Sequence, residues 1–343
     1  MIKTNPGRFF EDYSIGQVIV HAVPRTVSGG ERALYHALYP ARHALYSSDE
    51  FARACGLPSA PLDDLAAFHL VFGKTVPDVS LNAVANLGYA AGRWLGPVYV
   101  GDTLRSQSEV IGLKQNSNGK TGLVYVRTQG KNQHNQIVLD YVRWVMVRKR
   151  NHDAEAPQTL IPQLDAVLSP SQLQVPQGLD FSRYDFVQAG EPHRWGDYQI
   201  GEKIDHIDGV TIEDGEHMMA TRLWQNTAKV HFDATARPDG KRLIYGGHVM
   251  SLARALSFNG LANAQMIVGL NAGAHAHPCF GGDTVRAWSE VLDKAEIAAP
   301  GIGALRLRLV ATKSPTPFEL RGQDGKYHAD TLLDLDYWAL IPT

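Results

Sequence analysis

Pro97-Val98-Tyr99-Val100-Gly101-Asp102-Thr103-Leu104-Arg105, followed by Ser108-Glu109-Val110, returns later in the chain as Pro278-Cys279-Phe280-Gly281-Gly282-Asp283-Thr284-Val285-Arg286, followed by Ser289-Glu290-Val291. Working outward, Glu11-Asp12-Tyr13-Ser14-Ile15-Gly16 through His21 recurs as Gly196-Asp197-Tyr198-Gln199-Ile200-Gly201 through His206. Leu139-Asp140 with Trp144 recurs as Leu333-Asp334 with Trp338. Three blocks in one order and at nearly one spacing mean two copies of a single structural unit. Two copies are too few for a solenoid and each has the size of a domain, so the chain reads as a covalent pseudo-dimer.

Within the first copy, Ser28 and Glu31 form a capping box that opens a helix. The stretch Pro61-Leu62-Asp63-Asp64-Leu65-Ala66-Ala67-Phe68-His69-Leu70-Val71-Phe72 is apolar on nearly every face, which marks a buried helix, expected to end near Gly73 with Pro77 beyond. Strands are expected at Val18 to Val20, Asn82 to Tyr89, Thr103 to Leu113, Gly122 to Gln129 and Val138 to Arg148, divided by Asn-rich turns. Residues 151–190 carry Pro157, Pro162, Pro170 and Pro176 and read as a partly extended linker. The second copy offers a buried helix from Gly247 to Phe258 and strands at Thr284 to Leu292, Ala304 to Ala311 and Leu332 to Leu340. The expected architecture is α+β: a tandem (double) hot-dog, each half a long buried helix wrapped by a curved antiparallel sheet. Its parts are 1–150, the linker 151–190, and 191–343. Tyr13, Tyr198, Trp144 and Trp338, repeated between copies, are expected in the core.

A net charge of −2 gives no electrostatic footprint for nucleic acid or an anionic membrane. No stretch approaches a membrane span, and the start lacks the apolar run of a signal peptide. Cys55 and Cys279 have no metal-ligand spacing and read as reduced structural thiols in the cytoplasm. The run Arg148-Lys149-Arg150 reads as a solvated strand end. No metal and no separate cofactor is expected.

Phe10-Glu11-Asp12 with Gly16, Arg25-Thr26-Val27, and Pro97-Val98-Tyr99 with Gly101-Asp102-Thr103-Leu104 resemble the MaoC-type hydratase pattern over nearly the whole chain. Longer strings resemble the mesaconyl-CoA hydratase family more narrowly. They are Val71 to Asp78, Ala85-Asn86-Leu87-Gly88-Tyr89, Arg143 to Arg150, Gln225 to Phe232 and Ser257 to Ala264. The resemblance implies an acyl-CoA substrate and reversible addition of water to mesaconyl-C1-CoA, giving β-methylmalyl-CoA. It also implies a site in the second copy, where MaoC-type hydratases carry an Asp-x4-His pair. Here the span is Gln225 to His231, with Asn226 in place of the acid.

Five residues along a helix turn through about 500°, leaving the pair about 140° apart. Asn226 and His231 are therefore read as a helix end passing into a loop. An imidazole suits proton transfer near neutral pH; Asn226 can orient water but cannot take its proton. Either His231 makes both transfers, or Glu216 or Asp233 supplies the acid. Gly246-Gly247 precede the second buried helix, where backbone N–H groups can stabilise an oxyanion, with Gly247 the better family match. In the first copy Ala41 and Tyr46 replace the pair and Leu62 falls near the counterpart of Gly247, so that half reads as a substrate-holding shell.

The distal carboxylate of the substrate calls for an arginine, with Arg222 and Arg42 as candidates. His217, His248, His275 and His277 read as packing or surface residues, and Arg237, Lys241 and Arg242 as a solvated loop. Competing readings are a hot-dog acyl-CoA thioesterase using Asp63 or Asp64, and a non-catalytic acyl-CoA-binding module. The pseudo-dimer is expected to stand alone as a monomer or to pair again as a homodimer.

Overall fold

The structure, a computed structural model, describes residues 3–315 and 318–343. Ten antiparallel strands form one sheet: β1 (Val18–Thr26), β2 (Ala83–Trp94), β3 (Thr103–Gln115), β4 (Thr121–Lys131), β5 (Ile137–Arg148), β6 (Lys203–Thr211), β7 (Ile267–His275), β8 (Thr284–Glu296), β9 (Ile302–Thr312) and β10 (Thr331–Pro342). Their order is β1-β3-β4-β5-β2-β7-β10-β9-β8-β6. Each half thus repeats one five-strand order, and the halves join edge to edge where β2 pairs with β7, Tyr89 opposite Gly273 and Arg93 opposite Gly269. The strand β7 was not expected. Its sequence Ile267-Val268-Gly269-Leu270-Asn271-Ala272-Gly273-Ala274-His275 is dominated by small residues, which weakens the strand signal.

Each curled half-sheet wraps one helix. In the first, Asp63 caps the N-terminus by accepting the Leu65 N–H, and all twelve residues of Asp64–Thr75 are buried. Burial of each large apolar side chain such as Phe68 or Leu70 contributes about 2 kcal/mol. The second central helix, Gly246–Leu256, is buried from Gly247 onward. The two helices touch across the seam, His69 Nε2 lying 2.7 Å from Ser251 Oγ.

The first central helix continues through Gly73 instead of ending there. The glycine answers a close approach: a Cβ at position 73 would lie 1.6 Å from the Trp224 carbonyl oxygen of the other half. Gly73→Ala is therefore expected to destabilise the protein by about 1–3 kcal/mol, the usual cost of overpacking, readable as a lower denaturant midpoint.

Three other expectations need correction. Residues 151–190 are no mere spacer, because Leu168, Leu179, Phe181, Tyr184 and Ala189 are buried in a second apolar cluster with Phe51, Met266 and Trp338. Trp144 is half-buried and stacks on Tyr125, whereas Tyr13, Tyr198 and Trp338 are in the core. Lys149 is buried, its ammonium donating to Gln115 and to the carbonyls of His152 and Ala154.

Candidate active site

The helix Asp214–Leu223 ends at Trp224, and Gln225 adopts a left-handed φ of 57° that turns the chain inward. The buried Asn226 follows, its backbone N–H held by the Thr221 carbonyl at 2.9 Å. One short helical turn, Lys229–Phe232, then presents His231 as its third residue. Asn226 and His231 both border a cavity of about 370 Å³, a size suited to a small ligand or the acyl end of a larger one.

The His231 Nδ1–H donates to the Leu243 carbonyl at 2.7 Å. That bond fixes the tautomer and leaves Nε2 as an unprotonated acceptor. Burial pulls the imidazole down to about 4, the Leu243 bond opposing it only in part. His231 is thus a neutral base at pH 7, enclosed by protein yet bordering the cavity.

The second central helix begins at the same cavity, with Tyr245 as its N-cap. His217 Nε2 accepts the Tyr245 N–H at 2.9 Å and so anchors this helix entry. Neither the Gly246 nor the Gly247 N–H meets an acceptor among the described residues, as the first turn of a helix leaves them free. Gly246 borders the cavity, whereas Gly247, the expected oxyanion position, is not among its lining residues. Both positions are closed to a side chain. A Cβ on Gly246 would meet the His275 ring at 2.4 Å, and one on Gly247 the Tyr245 ring at 2.4 Å.

Neither arginine expected to hold a distal carboxylate borders the cavity. Arg222 is exposed on the outer face of its helix, and Arg42 lies over the Phe258 ring at 4.5 Å. Arg222 lies one helical turn before Asn226 and Arg42 beside the lost site of the first copy, and neither position fixes the direction a side chain takes. The alternative acids are also elsewhere: Glu216 lies 3.5 Å from His248 Nε2, and Asp233 caps Thr235 on the surface. Arg237 and Arg242 are paired with Asp239 and Asp214.

Three residues of the cavity wall were missed. His277, expected in packing or on the surface, lines it with its Nδ1–H donating to the Thr331 carbonyl at 2.9 Å. His275, expected in packing, lines the cavity with Nε2 3.2 Å from the Tyr89 hydroxyl, and burial lowers it to about 4. Arg143 also lines it, although it belongs to the first copy. Cys279 borders the same space, but burial pushes its thiol up to about 12, which removes it as a nucleophile at neutral pH. Among the described residues no group of three or more His, Cys, Asp or Glu is placed to hold a metal ion, and no helix is long and apolar enough to cross a membrane.

A family model described as mesaconyl-CoA hydratase matches residues 3–316. The chain belongs to the mesaconyl-CoA hydratase family. It is 75% identical over 342 residues to the mesaconyl-CoA hydratase of Cereibacter sphaeroides, covering 99% of this chain and 100% of that one. A beta-methylmalyl-CoA dehydratase of Chloroflexus aurantiacus is 55% identical, with 99% and 98% covered. Among solved structures, a MaoC domain protein dehydratase from Chloroflexus aurantiacus superposes with a TM-score of 0.97 at 54% identity, covering 100% and 99%. A Mycobacterium tuberculosis protein described as a double hotdog fold gives 0.74 at 25% identity, covering 97% and 98%. The double hot-dog expected from the sequence is the fold of this family member.

The two copies of this mesaconyl-CoA hydratase family chain can be compared position by position. Leu62 N–H bonds the Val98 carbonyl at 2.7 Å, as Ile244 N–H bonds that of Cys279 at 2.9 Å. The counterpart of Gly247 is therefore Leu65, not Leu62, and that of Gly246 is Asp64. Tyr46, third in the turn Ala44–Ser47, stands where His231 stands. The Tyr46 hydroxyl donates to the Asp64 carboxylate, which also accepts the Ile267 N–H at 2.7 Å. The position that would bind substrate in the first copy is closed by its own side chains.

Proposed function

We propose that this chain catalyses the reversible hydration of mesaconyl-C1-CoA (2-methylfumaryl-CoA) to β-methylmalyl-CoA in the cavity shared by its two halves, with no separate cofactor. The observation that carries this reading is the neutral His231, its Nε2 free, in one cavity with the uncapped start of the helix Gly246–Leu256. The substrate named by the relatives is an unsaturated thioester, and its chemistry needs those two elements.

In the forward direction the water oxygen bonds to the β-carbon as His231 Nε2 takes the water proton. The alkene electrons move to the thioester oxygen, where the N–H groups of Gly246 and Gly247 and the helix dipole stabilise the negative charge. The resulting imidazolium returns its proton to the α-carbon. One ring serving both steps adds H and OH to the same face of the double bond. Asn226 orients the water.

A hot-dog thioesterase typically places a carboxylate on or near the central helix. Asp64, the candidate for it, is engaged by Tyr46 and Ile267 and, pushed up to about 8 by burial and by Asp63, is largely protonated at pH 7. Incubation of the purified protein with mesaconyl-C1-CoA separates the readings. Hydrated ester supports hydration, released CoA indicates a thioesterase, and unchanged substrate a binding module. Asn226→Ala is expected to lower kcat by about 10²-fold, the cost of misplacing a reactant by an ångström, with KM changed little. A loss confined to KM overturns the water-orienting role.

A further inference from the structure

Arg143 on β5 is fully buried, yet among the described residues only one of its nitrogens is engaged. Nη2 donates to Thr75 Oγ1 at 2.7 Å and lies 3.5 Å from Ser80 Oγ, while the guanidinium rests over the Phe72 ring at 4.3 Å. Among the described residues Nε and Nη1 have no hydrogen-bond partner, and no carboxylate pairs with this arginine within 4.0 Å. A buried cation without a counter-ion is costly, so its retention calls for an anion supplied from outside. In the same wall the Asn86 side chain has both its nitrogen and its oxygen buried and unpartnered.

The other half shows what a purely structural arginine looks like. Tyr337 stands at the position equivalent to Arg143, by the repeat of Trp144 as Trp338. The buried cation there is Arg254, whose nitrogens reach His43, Ser257 and the carbonyls of Ala264 and Gln265. Both terminal nitrogens of Arg254 are engaged, whereas among the described residues Arg143 has two nitrogens without a partner, and it borders the cavity that holds His231.

We propose that Arg143, assisted by Asn86, receives the distal carboxylate of the substrate, so that the first copy selects dicarboxylic acyl-CoA esters for the second copy to hydrate. This inference rests on the proposed hydration and adds which residue sets its acyl preference. A planar guanidinium with Nη1 unpartnered and a second N–H left on Nη2 presents a carboxylate with a fork along that edge. The carboxylate is bonded to the very carbon that water attacks. Pairing it therefore fixes that carbon relative to His231 and reduces the electron density the carboxylate feeds into the alkene.

Tiglyl-CoA, which carries a methyl group where mesaconyl-C1-CoA carries the carboxylate, is the comparison substrate. For Arg143→Met the ratio of kcat/KM for mesaconyl-C1-CoA over tiglyl-CoA is expected to fall by about 10³-fold, as for truncation of one partner of a buried charge pair. Arg143→Lys, which keeps charge but not the fork, is expected to lose about 10-fold to 100-fold. The melting temperature of Arg143→Met is expected to hold or rise, since the apo protein loses an unpaired cation. A ratio that stays unchanged, or both substrates lost in equal measure, overturns the proposal.

Binding to the wild-type protein gives a readout independent of turnover. Succinyl-CoA is expected to bind at least 10-fold tighter than butyryl-CoA, which differs only at the distal group, and equal affinities would refute the assignment. Failure of the wild type to hydrate mesaconyl-C1-CoA would instead sink the proposed reaction and leave the carboxylate preference to be judged by this binding pair.

Discussion

His231→Ala is expected to lower kcat for hydration of mesaconyl-C1-CoA by about 10³-fold, within the range of about 10²-fold to 10⁴-fold for a positioned acid–base group. The loss belongs high in that range unless His277, which lines the same cavity with its Nδ1–H on the Thr331 carbonyl, takes over. Glu216 and Asp233 lie outside the cavity, Asn226 carries no exchangeable base, and the Nε2 of His275 is engaged by the Tyr89 hydroxyl. KM should change little, since the ring interacts chiefly with water and the moving proton. Steady-state kinetics with a matched circular-dichroism spectrum makes the test. Full activity in His231→Ala would transfer the base role to His277 or His275. The same assignment fixes a pH signature. With His231 held near 4, the neutral base is fully formed from pH 6 upward, so kcat/KM should show no acid limb near pH 6.5.

Acidification is expected to unfold the protein before it protonates that base. His69, His206 and His217 have no exposed surface, and burial lowers them to about 3, 4 and 2. His43 is shifted in the same direction, by burial and then by Arg254. The unfolded chain takes up protons near pH 6.5 and the folded chain does not, so stability is full above pH 6.5 and falls as pH drops toward 4. Between pH 6.5 and 5 each such group removes about 1.5 kcal/mol, and the three with the clearest shifts together about 5 kcal/mol. That is a large part of the roughly 5–15 kcal/mol that holds a typical domain together. Denaturant midpoints measured across this window should fall steeply, and turnover lost there should track loss of structure. A flat stability profile down to pH 5 would contradict the neutral burial of these rings.

Much of the architecture was legible because it is written in local patterns. The duplicated blocks gave the two-fold plan, the all-round apolar run Leu65–Phe72 marked the first central helix, and runs rich in Val, Tyr and Thr between Asn-rich turns placed β3, β4 and β5. What escaped depended on contacts made at a distance. Gly73 carries the signal of a helix end, but its small size serves the carbonyl of Trp224 from the other copy. β7 is built from small residues at the seam and has little strand character of its own.

The site divided in the same way. The motif pointed to His231, Asn226 and Gly247, of which His231 and Asn226 border the cavity while its glycine neighbour is Gly246. Arg42 and Arg222 were inferred from proximity in sequence and proved to point elsewhere. For Arg143 a signal was present: Leu139, Tyr141, Val145 and Val147 form the inward row of β5, all without exposed surface, and Arg143 falls in that row. A lone cation in an apolar row of period two marks a ligand-facing position. The closure of the first copy by Tyr46 and Asp64 had no such mark, because it rests on two residues far apart along the strand-and-helix plan.

The β2–β7 seam has a consequence for how the two halves can diverge. When identical subunits pair, every substitution is imposed on both faces of the contact at once, so no face can acquire a cation without its mirror image acquiring one too. Joining the copies in one polypeptide breaks that symmetry. It also sets their effective concentration by chain connectivity, so the walls of the cavity stay together at any dilution.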